Sequence, residues 1–218
     1  MTDKNVERAS KLDTATLSDA LDKLRINGQA YKIKGRDPKF RLAGRAYTLS
    51  YGPAANPPGT VGDYIDDVPP GSVLVLDNDG REDVTVWGDI LTEIAHRRSL
   101  GGTVINGICR DVSLCMVLGY PVFSKDSWMR TGKDRVQLNA VNVPVNLGNV
   151  RVEPGDLLRG DADGVVVIPR TCEQQVLDIA ESIERAETAI REAVRGGMRL
   201  DEARAQFRYH QLQTAQDN

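Results

Sequence analysis

Residues 88–111 read GDILTEIAHRRSLGGTVINGICRD, and their hydrophobic period switches from helical to strand-like within that length. A Gly-Asp pair opens the helix, and Ile90, Leu91, Ile94 and Ala95 form its apolar face, with Glu93, Arg97 and Arg98 turned away from it. Gly101-Gly102 stops the helix, 103–105 reads as a buried strand, and Arg110-Asp111 opens a second short helix that ends at Gly119. Strands are expected on either side, at 72–76 and 84–86 before the segment and from Pro121 to Ser124 after it. Strand–helix–strand–helix–strand is the pattern of a parallel α/β unit, in which ligands collect at the carboxyl ends of the strands.

Outward from this unit, the chain reads as one domain over 1–218, with a core at about 16–170 and C-terminal helices over 171–218. Toward the N-terminus, Thr16-Leu17-Ser18-Asp19 has the form of a capping box, and Leu17, Ala20, Leu21 and Leu24 follow at helical spacing until Asn27-Gly28. Alternation over 45–51 predicts a strand, followed by a loop rich in proline and glycine over 52–58. Toward the C-terminus the pattern becomes β-rich. Val141, Val143 and Val145 alternate, Val150 and Val152 follow, and Asp163-Gly164 marks a tight turn between two apolar runs. A second capping box at 171–174 opens a long amphipathic helix to about Arg195, closed by Gly196-Gly197. A last helix, over 201–212, carries Phe207, Tyr209 and His210.

Composition excludes several classes of function. A net charge of −3 offers no broad basic field for nucleic acid. No run approaches the ~18–20 apolar residues of a membrane span, and the polar N-terminus lacks the apolar centre of a secretion signal, so a cytoplasmic protein is expected. Cys109, Cys115 and Cys172 fit no disulfide or CxxC framework and read as structural thiols. His96 and His210 have no neighbouring ligand residues, which argues against a zinc centre; a metal here would be held by oxygen, as magnesium or manganese are.

Asp89, in the first turn of a helix, is favoured by the helix dipole, and the Ile90 and Leu91 amides there are free of intrahelical acceptors and suited to an anion. The same aspartate also reads as a simple N-cap. Arg110-Asp111 follows a neighbouring strand at the same sheet edge, so the two carboxylates and the guanidinium can converge; a surface pair capping a helix is the alternative. Ser124-Lys125 reads equally as a group near the pocket or at the surface, Arg97-Arg98 as a solvated helix end that complements the dipole, and Asp161 and Asp163 as parts of a hairpin rather than a calcium loop.

Across residues 16–170 the sequence resembles the RraA-like family, and within it the class II pyruvate aldolases. The similarity rests on Leu17-Ser18-Asp19-Ala20-Leu21, Gly88-Asp89-Ile90-Leu91, Gly107 through Arg110-Asp111, and Tyr120-Pro121-Val122-Phe123-Ser124-Lys125. It continues through Val141-Asn142-Val143-Pro144-Val145, Val152-Glu153-Pro154-Gly155-Asp156, and Gly160-Asp161-Ala162-Asp163-Gly164 up to Pro169. The resemblance implies a layered α/β/β sandwich and an enzyme that cleaves 4-hydroxy-4-methyl-2-oxoglutarate or a related acid to pyruvate and decarboxylates oxaloacetate. It implies that Asp111 binds Mg2+ or Mn2+, that Arg110 holds the keto oxygen, and that Gly88, Ile90 and Leu91 contact the small 2-oxo acid substrate. Asp89 would act on an active-site water.

The resemblance further implies active sites between subunits of a homotrimer or dimer of trimers. It calls for an acidic residue from the C-terminal region of a neighbour, for which Glu184, Glu187, Glu192 and Glu202 are available, although each also reads as a solvated helix charge. One position departs from the aldolase pattern: Leu114 stands where an acidic residue is expected three residues after the metal-binding aspartate. The family also includes regulators that bind a ribonuclease, a non-catalytic alternative. A methyltransferase label once given to the family finds no glycine-rich nucleotide loop here.

Overall fold

The structure, a computed structural model, describes residues 3–209. In chain order the elements are α1 (Lys4–Ser10), α2 (Thr14–Lys23), β1 (Lys34–Gly35), β2 (Leu42–Pro53), a 3-10 turn (Asp63–Asp67), β3 (Val73–Asp77), α3 (Asp89–Arg97), β4 (Gly102–Cys109), α4 (Val112–Leu118) and β5 (Val122–Ser127). There follow β6 (Val136–Val141), β7 (Val145–Leu147), β8 (Val150–Val152), β9 (Leu157–Asp161), β10 (Gly164–Ile168), α5 (Glu173–Arg195) and α6 (Leu200–Gln206).

β2, β3, β4 and β5 pair in parallel, with Thr48, Val75, Val104 and Phe123 forming one row across them. Every residue of β4 is buried. That is the signature of a central parallel strand covered on both faces: α3 and α4 connect its strands, and the β7–β8 hairpin packs against β3 and β4. β2 joins the two halves of the molecule. One edge pairs with β3, while the other is shared between β9 at Leu42–Arg45 and β6 at Leu49–Pro53, with a register break after Ser50. β10 completes the order β1-β5-β4-β3-β2-β9-β10.

A second apolar cluster lies at the β9–β10 end. Leu17, Ala20 and Leu21 of α2 meet Val176, Leu177, Ala180 and Ile183 of α5 over Leu157, Val166 and Ile168. Each such leucine or isoleucine contributes ~1.5–3 kcal/mol through burial. The result is the expected α/β class, with layers of helix and sheet and helices flanking the core at both ends of the chain.

Several local expectations are corrected. Residues 84–86 form no strand; Val84, Thr85 and Val86 are buried as irregular chain. Their polar groups are satisfied without a ladder: Thr85 N donates to Arg130 O at 3.1 Å, and the Thr85 hydroxyl accepts from Trp87 N and lies 2.8 Å from Trp87 O. α2 begins at Thr14, not at the Thr16 capping box, because the Asp13 carboxylate accepts from Thr16 N at 2.7 Å while Asp161, 147 residues away, accepts from Thr14 N at 2.8 Å. The box at 171–174 makes no side-chain cap, and α5 starts after Cys172. α6 ends at Gln206, Phe207 and Tyr209 lie beyond it, and the expected continuation through His210 to 212 lies outside the described residues.

Candidate functional site

The loops that leave the carboxyl ends of β2, β3, β4 and β5 surround a cleft of about 610 Å³. The exit from β3 supplies the irregular run to Trp87, then Gly88 and α3; the exit from β4 supplies Arg110 to the lining, with Asp111 next in the chain. Trp87 anchors the first of these. Its ring is buried, stacks on Tyr120 with centroids 6.2 Å apart, and donates from Nε1 to Thr92 Oγ1 at 2.9 Å. Thr92 Oγ1 in turn bonds Gly88 O at 2.9 Å, which fixes the first turn of α3.

Two hydrogen bonds join the exits. Arg110 N donates to Trp87 O at 3.2 Å, and Asp89 N donates to Asp111 Oδ2 at 3.1 Å. Arg110 Nε sits 3.2 Å from the same carboxylate oxygen. Asp111 is held in the left-handed region, at φ 56° and ψ 38°, immediately before α4. That conformation is costly for most L-residues and best tolerated by Asn and Asp. Gly88 is extended, so its role is one of space: a Cβ there would lie 2.8 Å from Asp111 Oδ2 and 3.2 Å from Arg110 Nε.

The fold thus brings together Gly88, Asp89, Ile90, Leu91, Arg110 and Asp111. Their free valences are specific. The terminal guanidinium nitrogens of Arg110 and the Oδ1 of Asp111 make no hydrogen bond among the described residues, and both side chains are over a third exposed. The two α3 amides differ. Ile90 N is taken by the Asp89 carboxylate at 2.8 Å, whereas the Leu91 amide meets no acceptor among the described residues. Among those residues no group of three His, Cys, Asp or Glu side chains converges. A cation beside Asp111 would therefore find at most one further such side chain among the described residues, a sparse set that suits Mg2+, which keeps several waters.

Other singled-out residues lie elsewhere. Leu114 lies in the first turn of α4, where its N–H donates to Asp111 O at 3.1 Å, and its aliphatic side chain offers no oxygen to the site. Lys125 donates to Gly80 O at 3.3 Å in a different cleft, beside Asp77 and Asn106. Asp161 and Asp163 belong to the β9–β10 hairpin, and Arg98 pairs with Asp66 at 3.7 Å. Burial raises the Cys109 thiol and pushes Cys115 up to about 11, so neither is a thiolate at neutral pH. Glu184 and Glu187 both pair with Arg191 on α5.

The sequence reading missed two walls of the cleft. One is the loop of Pro58 to Asp63, whose Gly59 N–H donates to Gln137 Oε1 at 2.9 Å; the other is Thr131-Gly132-Lys133-Asp134. The small, polar and charged run after β5 was the only local signal for the second.

Residues 14–167 match the RraA-like family, described as Aldolase/RraA. Protein DlpA of Legionella pneumophila is 38% identical over 203 residues, which cover 91% of this chain; the chain spans only 33% of DlpA's length. A protein of Halalkalibacterium halodurans named "Putative 4-hydroxy-4-methyl-2-oxoglutarate aldolase" is 31% identical over 183 residues, covering 84% of this chain and 85% of that protein. Among solved structures, RraAS2 of Streptomyces coelicolor is described as an unusual member of the RNase ES inhibitor RraA protein family. It superposes with a TM-score of 0.81 at 27% identity, covering 88% of this chain and 98% of that one.

Proposed function

This chain belongs to the RraA-like family, and from that premise we propose that it is a divalent-metal-dependent carbon–carbon lyase. Its substrate is a 4-hydroxy-2-oxo acid of the 4-hydroxy-4-methyl-2-oxoglutarate type, cleaved to pyruvate, with oxaloacetate decarboxylation as a second activity. The observation that carries the reading is the convergence of a guanidinium with free terminal nitrogens, a carboxylate with a free oxygen and an open helix amide at one sheet edge. The relative named as an aldolase supports it.

The chemistry follows from these groups. The Leu91 amide donates to the C1 carboxylate of the acid, at the positive end of α3. Arg110 donates from its terminal nitrogens to the 2-oxo oxygen and stabilises the negative charge that develops there as the C3–C4 bond breaks. Asp111 would hold Mg2+ or Mn2+, which when bound would supply Lewis-acid polarisation of the carbonyl. Asp89 accepts the C4 hydroxyl proton through a water, after releasing the Ile90 amide. Decarboxylation of oxaloacetate requires the same charge stabilisation but no base, so it tolerates Leu114 better than aldol cleavage does.

The assembly belongs to the same proposal. Ile90 is 71% exposed at the start of α3, and Trp128 and Met129 stand exposed next to the exit of β4, where Trp128 N bonds Cys109 O at 2.9 Å. These apolar groups at the site edge fit a homotrimer or dimer of trimers in which a neighbour closes the cleft.

The deciding experiment measures pyruvate release from oxaloacetate and from 4-hydroxy-2-oxo acids, with Mg2+ or Mn2+ and with chelator. Release should depend on metal, and Asp111→Ala and Arg110→Ala should each remove it. A wild-type protein with no metal-dependent release across such a panel sinks the lyase reading. It would leave the second one, a non-catalytic regulator that binds a ribonuclease or other protein, which draws on the description of RraAS2 and on Leu114 in place of a carboxylate.

A further inference from the structure

We propose that a second cleft, floored by Asp77, Asn106 and Lys125 and separate from Arg110 and Asp111, binds a polyhydroxylated small molecule, a sugar or sugar alcohol. Its volume is about 560 Å³, within the range of small-molecule sites, and no residue lines both clefts. The chain that leaves β3 divides them: Asp79, Gly80 and Glu82 wall this cleft, and Thr85 to Leu91 wall the other. The inference is independent of the lyase reading.

The floor comes from three neighbouring parallel strands near their carboxyl ends, where such sheets hold ligands: Asp77 closes β3, Asn106 lies on β4 and Lys125 on β5. Asp77 is fully engaged. Its Oδ1 accepts from Asn106 Nδ2 at 2.8 Å and from Asp79 N at 3.0 Å, and its Oδ2 accepts from Asn146 N at 2.8 Å. This carboxylate also fixes the Asn106 amide, because turning the amide round would set two oxygens against each other. Asn106 is 5% exposed, and its Oδ1 accepts no hydrogen bond among the described residues. Buried acceptors are nearly always satisfied, so this oxygen calls for a donor that the chain does not supply.

Lys125 faces the same spot. A Cβ added to Gly80, whose φ is +66°, would lie 2.6 Å from Lys125 Nζ and 3.6 Å from Asn106 Oδ1, so the ammonium and the unpaired oxygen flank one small gap. Of its three N–H groups the ammonium uses one, in a long bond to Gly80 O at 3.3 Å, and the flexible arm is free to shift and admit a ligand atom. That atom has to donate to Oδ1 and accept from Nζ. A carboxylate or a fully ionised phosphate has nothing to donate, and an amine or metal cation meets the charge of Lys125. A hydroxyl does both. Further hydroxyls have partners on the walls, where Glu82 and the Asn146 amide are exposed and make no side-chain hydrogen bond among the described residues. Tyr31, 68% exposed, adds an aromatic ring to the lining.

The test is saturation-transfer NMR on the full chain with glycerol, D-ribose, D-glucose and myo-inositol, and with acetate, phosphate and methylammonium as controls. At least one polyol should bind with a Kd of about 10 mM or tighter. Lys125→Met, which keeps the length of the arm and removes its donors, should weaken that binding by roughly tenfold or more. Asp111→Ala, in the other cleft, should bind the polyol as the wild type does. If none of the four polyols binds up to about 100 mM, the gap holds a water only and the proposal falls. Binding that persists in Lys125→Met places the polyol elsewhere and overturns it too. So does a panel in which only acetate or phosphate binds in a manner that depends on Lys125.

Discussion

At the residue scale, the site is defined by what Gly88 leaves out. The space its missing side chain vacates is occupied by Asp111 Oδ2 and Arg110 Nε. Gly88→Ala should push both aside by rotation of flexible side chains, which costs little stability but disturbs the alignment of the reacting groups. We expect kcat/KM for pyruvate release to fall on the order of 10²-fold, with a Tm close to wild type. A matching loss of Tm would mean that Gly88 serves the fold instead. Beside it, a hydrogen bond joins Asp89 N to Asp111 Oδ2 across 22 residues of chain. Its participants were legible in the sequence as a helix start and an Arg-Asp pair. The engagement of Ile90 N by Asp89 was not, because a side-chain rotamer leaves no trace in hydrophobic period.

At the element scale, the capping of α2 shows how a distant residue overrides a local pattern. The Asp161 carboxylate on β9 accepts from Thr14 N, Thr14 Oγ1 and Asp163 N, at 2.8, 2.6 and 3.0 Å. Burial works against its charged form, but the Thr14 and Asp163 donors win and hold it below the usual carboxylate range. Asp161→Ala leaves the Thr14 amide without its partner and should destabilise by about 2–3 kcal/mol, read from urea unfolding at neutral pH. Since the native value is lowered, Asp161 contributes fully at pH values above the unfolded one of ~3.9. Its contribution is lost as pH falls through the lower native value, so the gap between variant and wild type should close in acid below about pH 4. A gap that stays constant down to pH 2 would contradict this account. The same competition explains the other misreading of an element. Residues 84–86 alternate like a strand, but Thr85 N donates to Arg130 O and the Thr85 hydroxyl accepts from Trp87 N, so these amides are satisfied without a ladder.

At the scale of the whole molecule, β2 is the hinge between the two readings of the chain. Its 12 residues pair with a parallel strand on one edge and with β9 and β6 on the other, so the β-rich C-terminal half extends the same sheet. The cleft then opens where four strand exits meet, beside the exposed Ile90, Trp128 and Met129. Light scattering should find three or six chains per particle, and Ile90→Asp together with Met129→Asp should shift the mass toward one chain; a wild-type protein that runs as a monomer would refute the proposed closure. The sequence by itself determined the class of the fold, the order of its main helices and strands, and which residues stand at the start of α3 and the exit of β4. These are set by hydrophobic period, glycine stops and short motifs, all of which act over a few residues. The tertiary structure alone decided which helix ends are capped from afar, how β2 divides its edge, and that Lys133 shares a cleft with Arg110. Those outcomes depend on strand order and on contacts between residues far apart in the chain, where burial and close backbone approach, not local preference, select the partner.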